Sequence, residues 1–309
     1  MHPLQRWQYK LSLDVKIRSA YGTAFQDFFS TVMEKLHGDD FVRVRPFGSL
    51  GDKGCDGYLS SNGQVFQCYG KLEDSPPNAA GIVKKLEDDY SLAAAHLTAV
   101  MKEWHFAHNL VNGLPVDAVL KIEDMKTTFP QHQFGTIGPV GLEERVFKLT
   151  DSQLFDLLGP AATAEDSRNL RMAEVRDLVD ALMTSIDAGP GAGGEILPVP
   201  RDKLIFNNLP QHWNGLIAAA SQNAPYVKQY FEQHPRPETG EKLAKVFAER
   251  YAALKQENLA PGTIMDRLYE QITGMGSVPS ERQVAAQAIL AYLFDACDIF
   301  EDHPSKVTA

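Results

Sequence analysis

From Asp187 the chain reads Asp-Ala-Gly-Pro-Gly-Ala-Gly-Gly, and Pro198 and Pro200 follow. Glycine leaves the backbone too free there, and proline removes the donors and φ angles that a regular element needs. The stretch therefore reads as a linker or long loop, and it separates two patterns. Before about residue 150 helical and strand-like segments alternate, whereas after residue 200 every periodic segment is helical. At roughly 150 residues per domain, a chain of 309 residues suits two domains. The predicted division is residues 1–185, a linker at 186–200, and a helical domain at 201–309.

The 44% apolar content supplies at least one full core and argues against wholesale disorder. Cys55, Cys68 and Cys297 are too few and too scattered for a disulfide framework or a four-thiolate metal site. The opening MHPLQRWQYKLSLDVKIRSA lacks the apolar stretch of a secretory signal. The most apolar run, residues 284–300, is interrupted by Gln287, Asp295 and Asp298 and is too short and polar to span a bilayer. A cytoplasmic protein with no membrane segment is expected. The formal charge of −10 is uneven: residues 1–150 hold 16 Lys+Arg against 18 Asp+Glu, and the rest hold 14 against 22. A local basic groove is compatible with the first half, and the acidic second half reads as a protein-contacting module.

Residues 20–36 place Tyr21, Ala24, Phe25, Phe28, Phe29, Val32, Met33 and Leu36 three and four apart, which predicts an amphipathic helix. Strands are predicted at 41–45, 56–60 and 64–69, the last two joined by Ser61-Asn62-Gly63, because Asn-Gly readily takes the positive φ angles of a tight turn. A helix over 79–102, a strand at 104–108, a helix at 116–126 and a short strand at 145–149 complete the order α-β-β-β-α-β-α-β. That order predicts a small mixed sheet flanked by helices. Beyond the linker, helices are expected within 208–233, at 241–256 behind Thr239, at 263–272, and from Ser280 onward.

The segment richest in chemistry is Gly48-Ser-Leu-Gly-Asp52-Lys-Gly-Cys-Asp56-Gly-Tyr58, followed by the hairpin and Val65-Phe-Gln67-Cys-Tyr69-Gly-Lys71. Side chains repeat every two residues along a strand, so a carboxylate on one arm and alternate polar residues on the other can share one side. Such a cluster suits Mg²⁺, which takes oxygen ligands and keeps several waters. A nearby lysine can offset charge developing on a phosphate. The conformational reading is that Asp52 and Asp56 shape a Gly-rich turn, Gln67 bonds across the sheet and Tyr69 packs.

Ala24-Phe25-Gln26, GDKGCDG and VFQCY together resemble the PD-(D/E)XK nucleases, and more closely their Mrr-like branch. The resemblance implies an α/β (α+β) restriction-endonuclease-like N-terminal domain followed by an all-α C-terminal domain. It also implies metal-dependent hydrolysis of double-stranded DNA with Mg²⁺ or Mn²⁺. Asp56 then matches the metal-binding Asp, Gln67 matches the Gln or Glu of the second strand, and Asp52 matches a loop Asp frequent in that branch. Two positions depart from the pattern: Gln26 stands where the helix usually carries Glu, and Tyr69 stands where the catalytic Lys is usual. Lys71, two residues on, lies on the same face if the strand continues, although Gly70 is a candidate strand end. Catalytic candidates are therefore Asp56, Gln67, Lys71, Gln26 and Tyr69, with Asp56 and Gln67 as metal ligands.

Gln-Cys-Tyr-Gly, Leu86-Glu-Asp-Asp, Trp104-His-Phe-Ala-His-Asn109 and Gly113-Leu-Pro115 also resemble effector proteins of bacterial ABC-three-component defence operons. The segments 247–254, 258–259, 263–268 and 288–300 resemble the helical domain that ends such effectors. The implied protein is the nuclease effector of a Lamassu-type anti-phage system. Its implied partners are an SMC-like ABC ATPase, a small middle component and, on activation, further copies of itself. The alternative is a nuclease-fold subunit that has lost chemistry and binds DNA or regulates the complex.

Other residues receive plainer readings. His105 and His108, three apart, fall on opposite faces of a strand and do not make a metal pair. Cys68 is expected in the core, and Lys84-Lys85 with Glu87-Asp88-Asp89 on a solvated helix face, with DNA contact the lesser reading. Tyr292, Phe294 and Phe300 are expected in the core or a subunit interface. No phosphate-binding P-loop is present in the sequence, so ATP use by this chain is not expected.

Overall fold

The computed structural model describes residues 1–45, 53–72, 78–186, 206–274, 278–296 and 299–300. The chain forms two compact units, Leu13–Leu157 and Met1–Ser12 with Leu158–Ala309. The first helix, α1 (Pro3–Ser19), runs through that division. Residues 158–186 belong with the C-terminal helices, where the sequence reading places them in the N-terminal domain. The reason is apolar: Val175, Leu178, Val179 and Leu182 are buried in the same core as Trp213 and Leu290. The linker expected at 186–200 lies, from residue 187 on, outside the described residues.

In Leu13–Leu157, α2 (Thr23–His37) buries Phe25, Phe28, Phe29, Val32 and Met33 of the stripe that its spacing predicts, while Tyr21 and Ala24 are exposed and Leu36 is half-buried. A strand follows, β1 (Phe41–Arg43), then the hairpin β2 (Gly57–Leu59) and β3 (Gln64–Tyr69). Then come α3 (Ala79–Leu97), β4 (Glu103–His108), α4 (Val116–Thr128), β5 (Gln133–Ile137) and α5 (Pro139–Val146). α6 (Asp151–Leu158) lies at the division between the units. The sheet order is β1-β2-β3-β4-β5, with β1, β2 and β3 antiparallel and β3, β4 and β5 parallel. The parallel neighbours are joined through α3 and α4, as crossovers require. The mixed α/β sheet flanked by helices is thus present.

Three elements differ from expectation. The last strand is Gln133–Ile137, not 145–149; Pro139 opens a helix there, and Leu142 and Val146, four apart, bury one side of it. α3 stops at Leu97, and Lys102 then donates its N–H to Gly63 O (2.9 Å), which starts the pairing of β4 with β3. α1 is a helix for which the sequence reading had no element.

Each face of the sheet has its own core. On one, Phe29, Phe41 and Phe66 pack ring against ring under α2. On the other, Val65, Trp104, Phe106 and Phe134 pack with Ile82, Leu86 and Tyr90 of α3 and with Ala118, Ile122 and Met125 of α4. Gly70 ends β3 because a side chain there would strike Phe25 and Gly22, and Gly22 donates to Gly70 O at 3.1 Å.

The second unit is helical among its described residues, with α7 (Ala164–Arg168), α8 (Met172–Ile186), α9 (Gln211–Ala220), α10 (Ala224–Glu232), α11 (Thr239–Gln256), α12 (Pro261–Thr273) and α13 (Ser280–Asp295). α13 is buried on every side from Gln283 to Phe294, as a helix apolar all round must be. α8, α9, α10 and α12 pack around it. Its polar positions are satisfied inside: Gln287 donates to Gln8 Oε1 (2.5 Å), Gln8 donates to the Tyr269 hydroxyl (3.2 Å), and Gln283 donates to Pro160 O (2.8 Å). No helix among the described residues is long and apolar enough to cross a membrane.

Candidate functional site

Asp56 sits immediately before β2, where its N–H donates to Phe66 O (2.8 Å) and its carbonyl accepts from Val44 N (3.1 Å). The side chain is 4% exposed. A carboxylate so buried needs donors. Gln26 Nε2, from the first turn of α2, donates to Asp56 Oδ1 at 2.6 Å, and the Cys68 N–H of β3 donates to Oδ2 at 2.7 Å. Gln26 Nε2 also reaches Val44 O at 3.3 Å. Both partners of Gln26 are acceptors only, so the amide nitrogen is the end that must face them. At this position Gln does what Glu cannot: it donates to the aspartate instead of repelling it.

Gln67 lies on β3 one residue from the Gly57–Phe66 pairing, as Asp56 does on the other arm. Its amide is buried, and Oε1 has no hydrogen-bond partner. Fully buried polar atoms are usually paired, so this oxygen, like the buried Ser30 Oγ and Trp104 Nε1, has hydrogen-bonding capacity to spare. Gln67 shares its face with Val65, and pairs with Phe106 of β4, on the side that α3 covers. The fold thus brings Gln26, Asp56 and the Gln67–Cys68 segment together at one end of the hairpin.

The other expected positions fall differently. Tyr69 closes β3 half-buried, its ring stacked on Phe106 at 5.8 Å. Burial raises its phenol above the ordinary range, and the positive charge of Lys85 opposes the rise. Lys71 lies beyond the strand, so alternation no longer assigns its side chain to the Gln67 face. Its backbone is held by Asn109, whose Oδ1 accepts from Lys71 N (2.8 Å) and whose Nδ2 donates to Lys71 O (2.9 Å). The same Nδ2 lies 3.0 Å from Ile17 O and 2.7 Å from Ala20 O. Asp52 lies outside the described residues.

His105 and His108 are separate, as their spacing predicts: His105 Nε2 meets Glu103 Oε2 at 2.9 Å, and His108 Nδ1 accepts from Leu110 N at 3.2 Å, closing the turn. Burial lowers His108 to about 4. Cys68 is buried, and its thiol is pushed well up, first by burial and next by the Asp56 carboxylate, with Lys85 opposing. It is no nucleophile.

Two residues named in the sequence have surroundings that the sequence did not show. One is Asn109, whose backbone partners at Lys71, Ile17 and Ala20 are distant in sequence. The other is Lys85, whose ammonium bonds Asp89 Oδ2 at 2.6 Å under partial cover; an i,i+4 Lys–Asp pair looks like any solvated helix pair until the surroundings are known.

Among the described residues no three His, Cys, Asp or Glu side chains form a metal-holding group. The Asp56 carboxylate and the Gln67 Oε1 are oxygen donors of the kind that Mg²⁺ takes, commonly one or two from protein with water and phosphate completing its shell.

No curated protein and no solved structure matches the chain. Residues 173–301, which begin in α8 and include the buried α13, match the family model for C-terminal domain 10 of the ABC-three component systems. That match supports membership of this chain in an ABC-three-component defence system.

Proposed function

We propose that the chain is the effector subunit of an anti-phage ABC-three-component complex, and that Leu13–Leu157 is a restriction-endonuclease-like unit that hydrolyses double-stranded DNA. The observations that support this reading are the buried Asp56 carboxylate, held by Gln26 and Cys68 N, and the partnerless Oε1 of Gln67, the residue before Cys68 on β3. Asp56 and Gln67 would hold Mg²⁺ or Mn²⁺, which when bound polarises a phosphate oxygen and acidifies a water. Water adds to phosphorus, one P–O ester bond breaks, and the proton ends on the departing ester oxygen. Gln26 fixes the carboxylate, and Tyr69 lines the site. Lys71, at the end of the same segment, is the cation expected from sequence.

The acidic C-terminal helices, by their family match, are proposed to dock an SMC-like ATPase and a middle component or to mediate self-assembly in a Lamassu-type complex, in the cytoplasm. Gel-filtration mass and partner binding, with and without residues 201–309, test this; unchanged values overturn it.

Plasmid cleavage with Mg²⁺, alone and with the ATP-charged partner, tests the enzymatic reading. Asp56→Ala is expected to lose about 100-fold or more. A second reading is favoured by Gln26 and Tyr69, which leave the site without the usual Glu and Lys: a DNA-docking subunit without chemistry. A wild type that binds duplex but stays inert in both settings establishes that second reading.

A further inference from the structure

We infer that Lys85 of α3 supplies the positive charge of the Asp56–Gln67 site and faces the phosphate bound there. The inference rests on the nuclease-like reading above and adds a residue to it.

The usual strand position cannot provide that charge. Tyr69 occupies it and stacks on Phe106, and β3 ends before Lys71. The structure brings another cation in from the side. α3 covers the face of β3 that carries Gln67, with Ile82 and Leu86 buried against Val65. Lys85 lies between them in sequence, on the adjoining strip of the helix.

The loop that carries Asp56 is laid along this same helix. Gly54 has φ +72°, and a Cβ on it would run into the main-chain oxygen of Asp89 and crowd the main chain of Ala93. Only glycine permits so close an approach. Cys55 and Asp56 follow directly, so the main chain that leads into Asp56 runs past the turn of α3 that carries Asp89, the ion-pair partner of Lys85.

Two neighbouring pairs on α3 separate a surface pair from this one. Lys84 and Asp88 are joined at 2.5 Å with side chains 73% and 55% exposed. Lys85 and Asp89 are joined at 2.6 Å with side chains 31% and 16% exposed. The spacing is the same, but the second pair is the more covered of the two. A charge partly shielded from water acts on its neighbours more strongly than an exposed one. An incoming phosphate competes with Asp89 for the ammonium, and Lys85 turns from its helix partner to the substrate.

The test uses the full chain and two probes, Mn²⁺ alone by calorimetry and a short DNA duplex in Ca²⁺ by fluorescence anisotropy. Removing a positive charge beside a divalent ion strengthens its binding, so Lys85→Met should tighten Mn²⁺ by about threefold to tenfold and weaken the duplex by a similar factor. Lys85→Arg should keep both affinities near wild type, and the solvated Lys84→Met should leave Mn²⁺ unchanged. A helix pair with a merely structural role moves the melting temperature, not the Mn²⁺ affinity. If wild type binds Mn²⁺ and Asp56→Asn does not, yet Lys85→Met binds it as wild type does, the inference about Lys85 is overturned and the site stands. A shift produced by Lys71→Met instead overturns it in the same way. If wild type binds no Mn²⁺, or Asp56→Asn binds it equally, the metal site itself fails and Lys85 with it.

Discussion

At Gln26 a single amide decides how a buried carboxylate is tolerated. Its Nε2 donates to Asp56 Oδ1, so Gln26→Glu replaces an attraction with two carboxyl groups in contact. One of them must then take up a proton, and its pKa rises. A folded-state pKa above the unfolded value leaves stability intact at low pH and removes it as pH rises. Gln26→Glu should therefore cost about 1–3 kcal/mol at pH 8 in urea unfolding and less at pH 5. It should also gain a larger rise in melting temperature from Mn²⁺ than wild type does. An equal rise in both proteins would place Gln26 away from the ion. His108 carries the opposite sign. Burial lowers it from 6.5 to about 4, so the unfolded chain binds a proton that the folded chain refuses. Its stabilising contribution is complete above pH 6.5, declines as pH falls from there, and levels off below about 4. The decline amounts to at most about 3 kcal/mol. His108→Asn, which keeps an acceptor for Leu110 N, should flatten that part of the pH–stability curve.

At the scale of elements, close approach of backbone to backbone sets the strongest sequence requirements. Gly54 and Gly113 both have positive φ, +72° and +86°, but only Gly54 meets the main chain of another element; nothing lies within 4 Å of a Cβ at Gly113. Gly113→Ala should cost about 1 kcal/mol of left-handed strain. Gly54→Ala should cost about 1–3 kcal/mol more, because the loop and α3 must separate, and cation binding should weaken with it. Equal costs by chemical denaturation would mean that the loop does not rest on α3. α2 was legible in sequence because its buried residues recur at helical spacing, and β3 and β4 because they are short runs rich in apolar and aromatic residues bounded by turn signals. β5 was not, because Gln-Phe-Gly-Thr-Ile offers only two buried residues and a glycine that lies under the His105 ring. α1 was missed because Leu11 and Leu13 are buried but flanked by charge, a weak helical signal.

Across the whole chain, the first twelve residues matter more than their position suggests. Trp7 packs so closely on Gly215 that a Cβ there would strike its ring, and Gln8 joins Tyr269 and Gln287 inside the helical unit. Deleting residues 1–12 leaves those buried groups without partners, at about 1–3 kcal/mol each, and should lower the melting temperature of the helical unit. A truncated protein with an unchanged transition would contradict that packing. By itself the sequence determined the Asn-Gly hairpin, the residues at its arms and the helical nature of the second half. Those follow from local φ preference and from the period of apolar residues, which a chain expresses wherever it folds. Only the tertiary structure decided that α1 and residues 158–186 supply parts of the helical core, that Gln26 reaches Asp56, and that Lys85 is more covered than Lys84. Each of these depends on segments far apart in sequence arriving at one place, and burial, which gives a polar group its energy, exists only after they have arrived.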